Sequence, residues 1–157
     1  MIKMIACIDA NGGIGKNDKL LTHLPKDLDH FKKTTIGEIC VFGRTTYESL
    51  PVKPLPHRDT IVLTTDKKAK FEGCKVAKNM DYIIKLSKEH DIYICGGAKI
   101  YEQFMSYADE LIISHMEESF DADTFFPKIS KDIWTPYYCE GVEDKVNFSI
   151  IKYKRNP

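Results

Sequence analysis

Charge of one sign is missing from this chain. Its 157 residues carry 23 Lys and Arg against 23 Asp and Glu, a formal net charge of +0 at pH 7. No global field therefore draws it to nucleic acid or to an acidic lipid surface. Long apolar runs are absent too: none approaches the roughly 18–20 residues of a membrane-spanning helix. The opening MIKMIACIDA is too short in its apolar stretch, and too strand-like, for a signal peptide. Cysteine pairs are lacking. The five cysteines, at 7, 40, 74, 95 and 139, form no Cys-x-x-Cys and no Cys/His zinc spacing. That usage predicts a reduced, cytoplasmic protein. The five histidines are scattered without a His-Glu-x-x-His pattern, so no metal site is predicted. No repeat, low-complexity segment or linker divides the chain. One domain over residues 1–157, monomeric and long enough for a proper core, is the expectation.

What is present is ordinary in amount, 43% apolar and 29% charged, and informative in order. IKMIACID (2–9), ICVFG (39–43), TIVLTT (60–65), KVAK (75–78) and IYICG (92–96) read as strands, most of them apolar enough to be buried on both faces. Helical spacing marks the segment from Pro25, a short start at GRTTYESL, residues 80–88 and AKIYEQFMSYA. ELIISHM and VNFSIIKYK supply two late strands. Strand and helix alternate, then strands arrive close together. The pattern predicts an α/β domain with a largely parallel sheet and antiparallel strands added late.

Asp27 sits oddly in LLTHLPKDLDHFKK. Pro25 opens a helix well because its missing N–H would have no partner there. Leu24, Leu28 and Phe31 then share a stripe, and Asp27 borders it. A carboxylate at such an edge needs a partner, since desolvating it alone is costly. A first-turn helix-dipole role or a lysine salt bridge is the plain structural reading.

Two strand-to-helix junctions have the chemistry of anion sites. In VFGRTTYESL, Gly43 precedes Arg44, Thr45 and Thr46 at a helix start, although a threonine N-cap beside a surface arginine explains the same letters. In YICGGAKIY, Gly96-Gly97 permits close backbone approach, yet a plain turn does as well. Two such junctions at carboxyl ends of one sheet point to a pyrophosphate-containing cofactor. Arg44, Lys99, Thr64 and Thr65 favour one with an additional phosphate. GGIGKN, with three glycines in four positions, suits a mobile lid or an ordinary connection.

At this point the motifs IACIDANGGIG, LPKDLDHFK, GRTTYESL, PLPHR, IVLTT, ICGGAKIYEQF and DADTFFP stand in the order and spacing of a known family. The chain resembles the dihydrofolate reductases from Met1 to roughly Pro127, and more loosely to its end. The resemblance implies a central eight-stranded, mostly parallel sheet with an antiparallel C-terminal strand and four flanking helices. It implies hydride transfer from NADPH to 7,8-dihydrofolate. Asp27 matches the single acid of the pterin pocket, bonded to the 2-amino group and N3, and Ser114 matches a hydroxyl that orients it. Ile5, Leu28, Phe31, Leu50 and Leu55 match the apolar walls. Arg58 matches the arginine for the glutamate α-carboxylate, with Lys32 and Lys53 at the rim. For NADPH, Cys7, Gly13, Ile14 and Gly15 fall near the nicotinamide. Gly96, Gly97, Ala98, Lys99, Ile100 and Tyr101 follow the pyrophosphate, with a cis Gly96-Gly97 bond. Arg44, Thr45, Thr46, Leu63, Thr64, Thr65 and Lys78 take the adenosine end, Arg44 and Thr65 the 2′-phosphate. Two positions depart: Leu21-Thr22 stand where bacterial members show Pro-Trp, and Cys95 replaces a bulkier aliphatic residue. Both imply a looser pocket, a less tightly closed lid and altered inhibitor sensitivity. Two other readings stay open, an aminouracil reductase of the riboflavin-pathway type and a non-catalytic NADPH-binding homologue.

Overall fold

A computed structural model describes all 157 residues, Met1–Pro157. Ten strands and four helices follow in the order β1 (Ile2–Ile8), β2 (Gly13–Gly15), α1 (Pro25–Thr35), β3 (Ile39–Gly43), α2 (Arg44–Glu48), β4 (Asp59–Leu63) and β5 (Lys75–Ala77). The chain continues through α3 (Met80–Leu86), β6 (Ile92–Ile94), α4 (Ala98–Phe104), β7 (Glu110–Met116), β8 (Thr124–Phe125), β9 (Trp134–Val142) and β10 (Phe148–Arg155). Eight strands form one sheet in the order β5-β4-β3-β6-β1-β7-β10-β9. Every pairing from β5 to β7 is parallel, and β10 runs antiparallel to both of its neighbours. The expected eight strands, four helices and antiparallel C-terminal strand are all present.

The apolar runs work as strands because both faces of the sheet are covered. On one face Met4, Val41, Ile61, Ile94, Leu111 and Ile113 meet Ile83 of α3 and Ile100, Tyr101 and Phe104 of α4. On the other, Ile5, Cys40, Phe42, Val62, Tyr93 and Ile112 meet Leu24 and Phe31 at α1 and Tyr47 of α2. All five cysteines are free.

Three strands were not legible from the sequence. The nine residues of β9 line the sheet edge, and all but Trp134 and Val142 are exposed, so no apolar alternation marks them. Pro136 is tolerated there because an edge strand can spare a donor, and the pairing with β10 shifts register between Lys152 and Tyr153 beside it. The strands β2 and β8 form a separate two-stranded ribbon out of the GGIGKN loop and the DADTFFP segment. The expected β4 run is also trimmed, ending at Leu63 rather than Thr65.

That ribbon ties the glycine-rich loop down through Asp9, whose side chain is 2% exposed. Its Oδ1 accepts the N–H groups of Asn11 and Gly13, each at 2.8 Å, and its Oδ2 accepts that of Phe120 at 2.9 Å. The backbone adds bonds from Asp123 N to Gly15 O at 3.0 Å and from Phe126 N to Gly12 O at 2.9 Å. A Cβ on Gly13 would stand 2.4 Å from the Ala122 Cβ, so only glycine fits where the two loops cross. Burial by itself would raise the Asp9 pKa, yet the three backbone donors outweigh it and hold the carboxyl below its usual range.

Two expectations follow from this packing. Phe104 is fully buried, so Phe104→Ala should cost about 3–5 kcal/mol in denaturant unfolding. In Asp9→Asn an amide NH2 would face the Phe120 N–H, and the loss at neutral pH should be about 1–3 kcal/mol. Because the folded-state pKa is depressed, the Asp9 contribution is complete above the unfolded value of about 3.9 and fades as pH falls through the lower folded value. The Asn variant should therefore be least different from the parent in acid, as unfolding at pH 7 and at pH 3 would reveal.

Candidate active site

Pro25 takes the first position of α1 with Leu24 as its N-cap, and this start puts Asp27 in the first turn, half-buried. The cap makes no side-chain bond, and Asp27 meets the sheet instead. Ser114 of β7, 1% exposed, donates its hydroxyl to Asp27 Oδ1 at 2.6 Å. Cys7 of β1 lies beside Ser114 in register. Burial, then the neighbouring Asp27 carboxylate, pushes the Cys7 thiol far up, so it stays protonated and faces the acid as a neutral group. Asp27 stands in the first turn, as the helix-dipole reading expects, but no lysine pairs with it, and its side-chain partner is a buried hydroxyl.

A solvent-open recess of about 330 Å³ begins at Asp27, lined also by Cys7, Ile14, Leu20, Leu21, Thr22, Leu24, Leu28 and Met116. Leu28 stays 42% exposed because it lines this opening rather than the core. Leu21 and Thr22, the departures from the family pattern, contribute directly to its wall. Leu20 and Met116 were not singled out from sequence; Leu20 lies in a loop, and Met116 ends a strand whose apolar residues all look alike.

At the far end of α1, Arg58 is seated by two acceptors. Its Nε donates to Pro56 O at 2.9 Å and its Nη1 to Thr35 Oγ1 at 3.4 Å. Thr35 is itself buried, its hydroxyl on Phe31 O at 2.8 Å. Asp27 and Thr35 mark opposite ends of the helix, about 12 Å apart at the helical rise of about 1.5 Å per residue. Ile5, Phe31, Leu50 and Leu55 belong to the buried or half-buried apolar set on this face. Lys32 is exposed, and Lys53 donates to Glu48 O at 3.0 Å. Acid, apolar wall and arginine thus follow one another along α1.

The two glycine junctions touch. Gly43 N donates to Gly96 O at 2.8 Å, and the Gly96-Gly97 peptide is cis. A Cβ on Gly97 would stand 2.8 Å from Thr46 Oγ1, and one on Gly43 2.9 Å from an Ile100 side-chain carbon. Gly43 and Gly96 are buried and Gly97 half-buried, so these glycines let the two junctions pack closely at the carboxyl ends of adjacent parallel strands, where ligands of open α/β sheets sit. Gly43 is the N-cap of α2 and makes no side-chain cap bond, which corrects the threonine-cap reading. Thr45 lies on the exposed side of this turn. Tyr101 is buried, and its phenol donates to Ile5 O at 2.6 Å. Burial first, then Cys95, Cys7 and Asp27, keeps that phenol protonated well past its ordinary range.

Further along the same edge, Arg44 bonds Glu48 Oε1 through Nε at 3.2 Å and Asp66 Oδ2 through Nη1 at 2.9 Å. Thr64 Oγ1 accepts the Asp66 N–H at 3.3 Å, and Lys78 Nζ rests on Lys67 O at 3.1 Å. Leu63 is buried beneath, while Thr65 and Lys99 are exposed. Gly13, Ile14 and Gly15 form the ribbon strand β2, whose middle residue faces the recess. Cys95 lies at the end of β6, its thiol against Tyr93 O at 3.4 Å.

The family model for dihydrofolate reductase matches residues 1–155. Over 160 residues the chain is 36% identical to the dihydrofolate reductase of Bacillus subtilis (strain 168), covering 99% of this chain and 95% of that one. It is 37% identical over 153 residues to that of Neisseria meningitidis serogroup B, covering 97% and 93%. Among solved structures, the dihydrofolate reductase from Enterococcus faecalis complexed with NADP(H) and RAB-propyl superimposes with a TM-score of 0.94 at 32% identity, over 100% of this chain and 97% of that one. With a match along nearly its whole length and a fold to go with it, the chain belongs to the dihydrofolate reductase family.

Proposed function

We propose that this protein reduces 7,8-dihydrofolate to 5,6,7,8-tetrahydrofolate with NADPH, and that Asp27 is its one catalytic acid. The observation that carries the site reading is the distance along α1 between a carboxylate held from the sheet and a seated arginine. Such a groove suits a ligand with a hydrogen-bonding heterocycle at one end and a carboxylate at the other.

The chemistry requires a hydride at C6 and a proton at N5 of the pterin. The residues present fit the cofactor: the two glycine junctions meet at the carboxyl ends of adjacent parallel strands, Gly43 N on Gly96 O, and Arg44, Thr64, Thr65 and Lys78 provide donors at the outer edge. Gly96, Gly97, Ala98, Lys99, Ile100 and Tyr101 would follow its pyrophosphate and nicotinamide portions, with Cys7 and Ile14 beside the ring. NADPH, when bound, supplies the hydride. Asp27, with Oδ1 held by Ser114, keeps its second oxygen for the 2-amino group and N3 of the pterin. Ionic bonding there polarises the ring and favours protonation at N5. The acid lies at the far edge from N5, so a water delivers the proton. Leu28, Phe31, Leu50, Leu55 and Ile5 exclude bulk water from the rings, and Arg58 pairs with the α-carboxylate of the glutamate tail through its remaining N–H groups. An aminouracil substrate has no such tail and would leave Arg58 without a partner. The likeness to dihydrofolate reductases does not favour a binding protein without turnover.

The decisive assay follows NADPH oxidation with dihydrofolate present and then omitted; only the complete mixture should consume it. Asp27→Asn should slow hydride transfer at pH 7 by about two to four orders of magnitude with NADPH affinity nearly intact, and full activity across pH would refute the role of the acid. Arg58→Gln should raise the KM for dihydrofolate by about 10- to 100-fold, as expected for losing a charge-assisted pair, while leaving kcat close to the parent value.

A further inference from the structure

The adenosine-end cation is already engaged. Arg44 has a carboxylate on each of two nitrogens, Glu48 on Nε at 3.2 Å and Asp66 on Nη1 at 2.9 Å. Its guanidinium also lies over the Phe71 ring, 5.6 Å from the centroid. Glu48 comes from one turn later in α2, but Asp66 comes from the loop that carries Thr64 and Thr65. The loop holds Asp66 in place at both ends. Its N–H bonds Thr64 Oγ1 at 3.3 Å, and its Oδ1 accepts the Lys68 N–H at 3.0 Å. Backbone bonding by Lys68, then the bond from Arg44 and the charges of Arg44 and Lys78, keep the Asp66 carboxyl below its usual range, so it is a full anion at neutral pH.

We propose that Asp66 is a specificity-determining residue, a built-in competitor that occupies the Arg44 nitrogen on which a 2′-phosphate would bind and so limits the preference for NADPH over NADH. This inference rests on the assignment of Arg44 to that phosphate. With the Nε side held by Glu48, a phosphate that grips the Nη1/Nη2 edge of the guanidinium in the two-pronged manner must displace Asp66 or lie against it, dianion beside anion. The ion pair lost is an exposed one, worth little. The competition therefore costs the phosphorylated cofactor a few-fold in affinity and costs NADH nothing, because NADH brings no group to this nitrogen.

Calorimetric dissociation constants for NADPH and NADH, measured on the parent, Asp66→Asn and Arg44→Gln, test the idea. Asparagine keeps an oxygen for the Lys68 N–H, so the loop should hold its shape; a thermal melt of each variant checks this. Asp66→Asn should tighten NADPH by about two- to fivefold and leave NADH unchanged. The gain should shrink as salt rises above about 0.15 M, where the screening length is about 8 Å. Unchanged or weaker NADPH binding would overturn the proposal, weaker binding meaning that Asp66 orients Arg44 for the phosphate. Equal tightening of both cofactors would overturn it too, since the effect would then be a general field. Arg44→Gln separates the two levels. If it weakens NADPH relative to NADH while Asp66→Asn does nothing, only the competition is wrong. If Arg44→Gln leaves the NADPH/NADH ratio as it was, the phosphate assignment fails and the competition falls with it.

Discussion

A single short hydrogen bond, from a hydroxyl buried on β7 to a carboxylate on α1, sets the geometry of the cleft. The Ser114–Asp27 bond at 2.6 Å fastens the first turn of the helix over the carboxyl ends of β1 and β7. With that turn held, Leu28 lines the recess, Phe31 packs against the sheet, and the far end of the helix meets Arg58 through Thr35. An Asp27 without this partner would be a half-buried carboxylate with nothing to offset its desolvation. With it, one oxygen is satisfied and the other is free for a ligand. Orientation of the acid and placement of the groove are thus one feature.

Around this point two other buried polar groups act as clamps. Asp9 gathers three backbone N–H groups and joins the glycine-rich loop to the segment before β8. Tyr101 ties α4 to β1 through the Ile5 carbonyl. Both are intramolecular clamps, and both border the recess or the loop over it. Arg44 and Asp66 are the exposed counterpart, a pair whose weakness allows a ligand to exchange with it.

The sheet strands could be read from sequence where burial on both faces left continuous apolar runs, as in ICVFG, which is β3 residue for residue. Reading failed at β9, where one edge and most side chains face solvent and no period survives. The ribbon of β2 and β8 was equally hidden, because three- and two-residue strands carry no pattern and exist only because distant loops cross. Within the site, Asp27, Ser114 and Arg58 were named through resemblance. Their letters alone gave no reason to link residues 27 and 114, and the packing of α1 across the sheet face that carries Ile112 is what brings them together.

By itself the sequence determined the alternation of strands and helices, the helix start at Pro25 and the glycine junctions, since these depend on local periodicity and on residues with special backbone freedom. The tertiary structure alone decided which polar groups meet: Ser114 on Asp27, Asp9 on Phe120, Asp66 on Arg44. Such pairings join residues 22 to 111 positions apart. No local preference encodes them; they arise from strand order, register and the crossing of loops, all of which depend on how the whole chain buries its apolar surface.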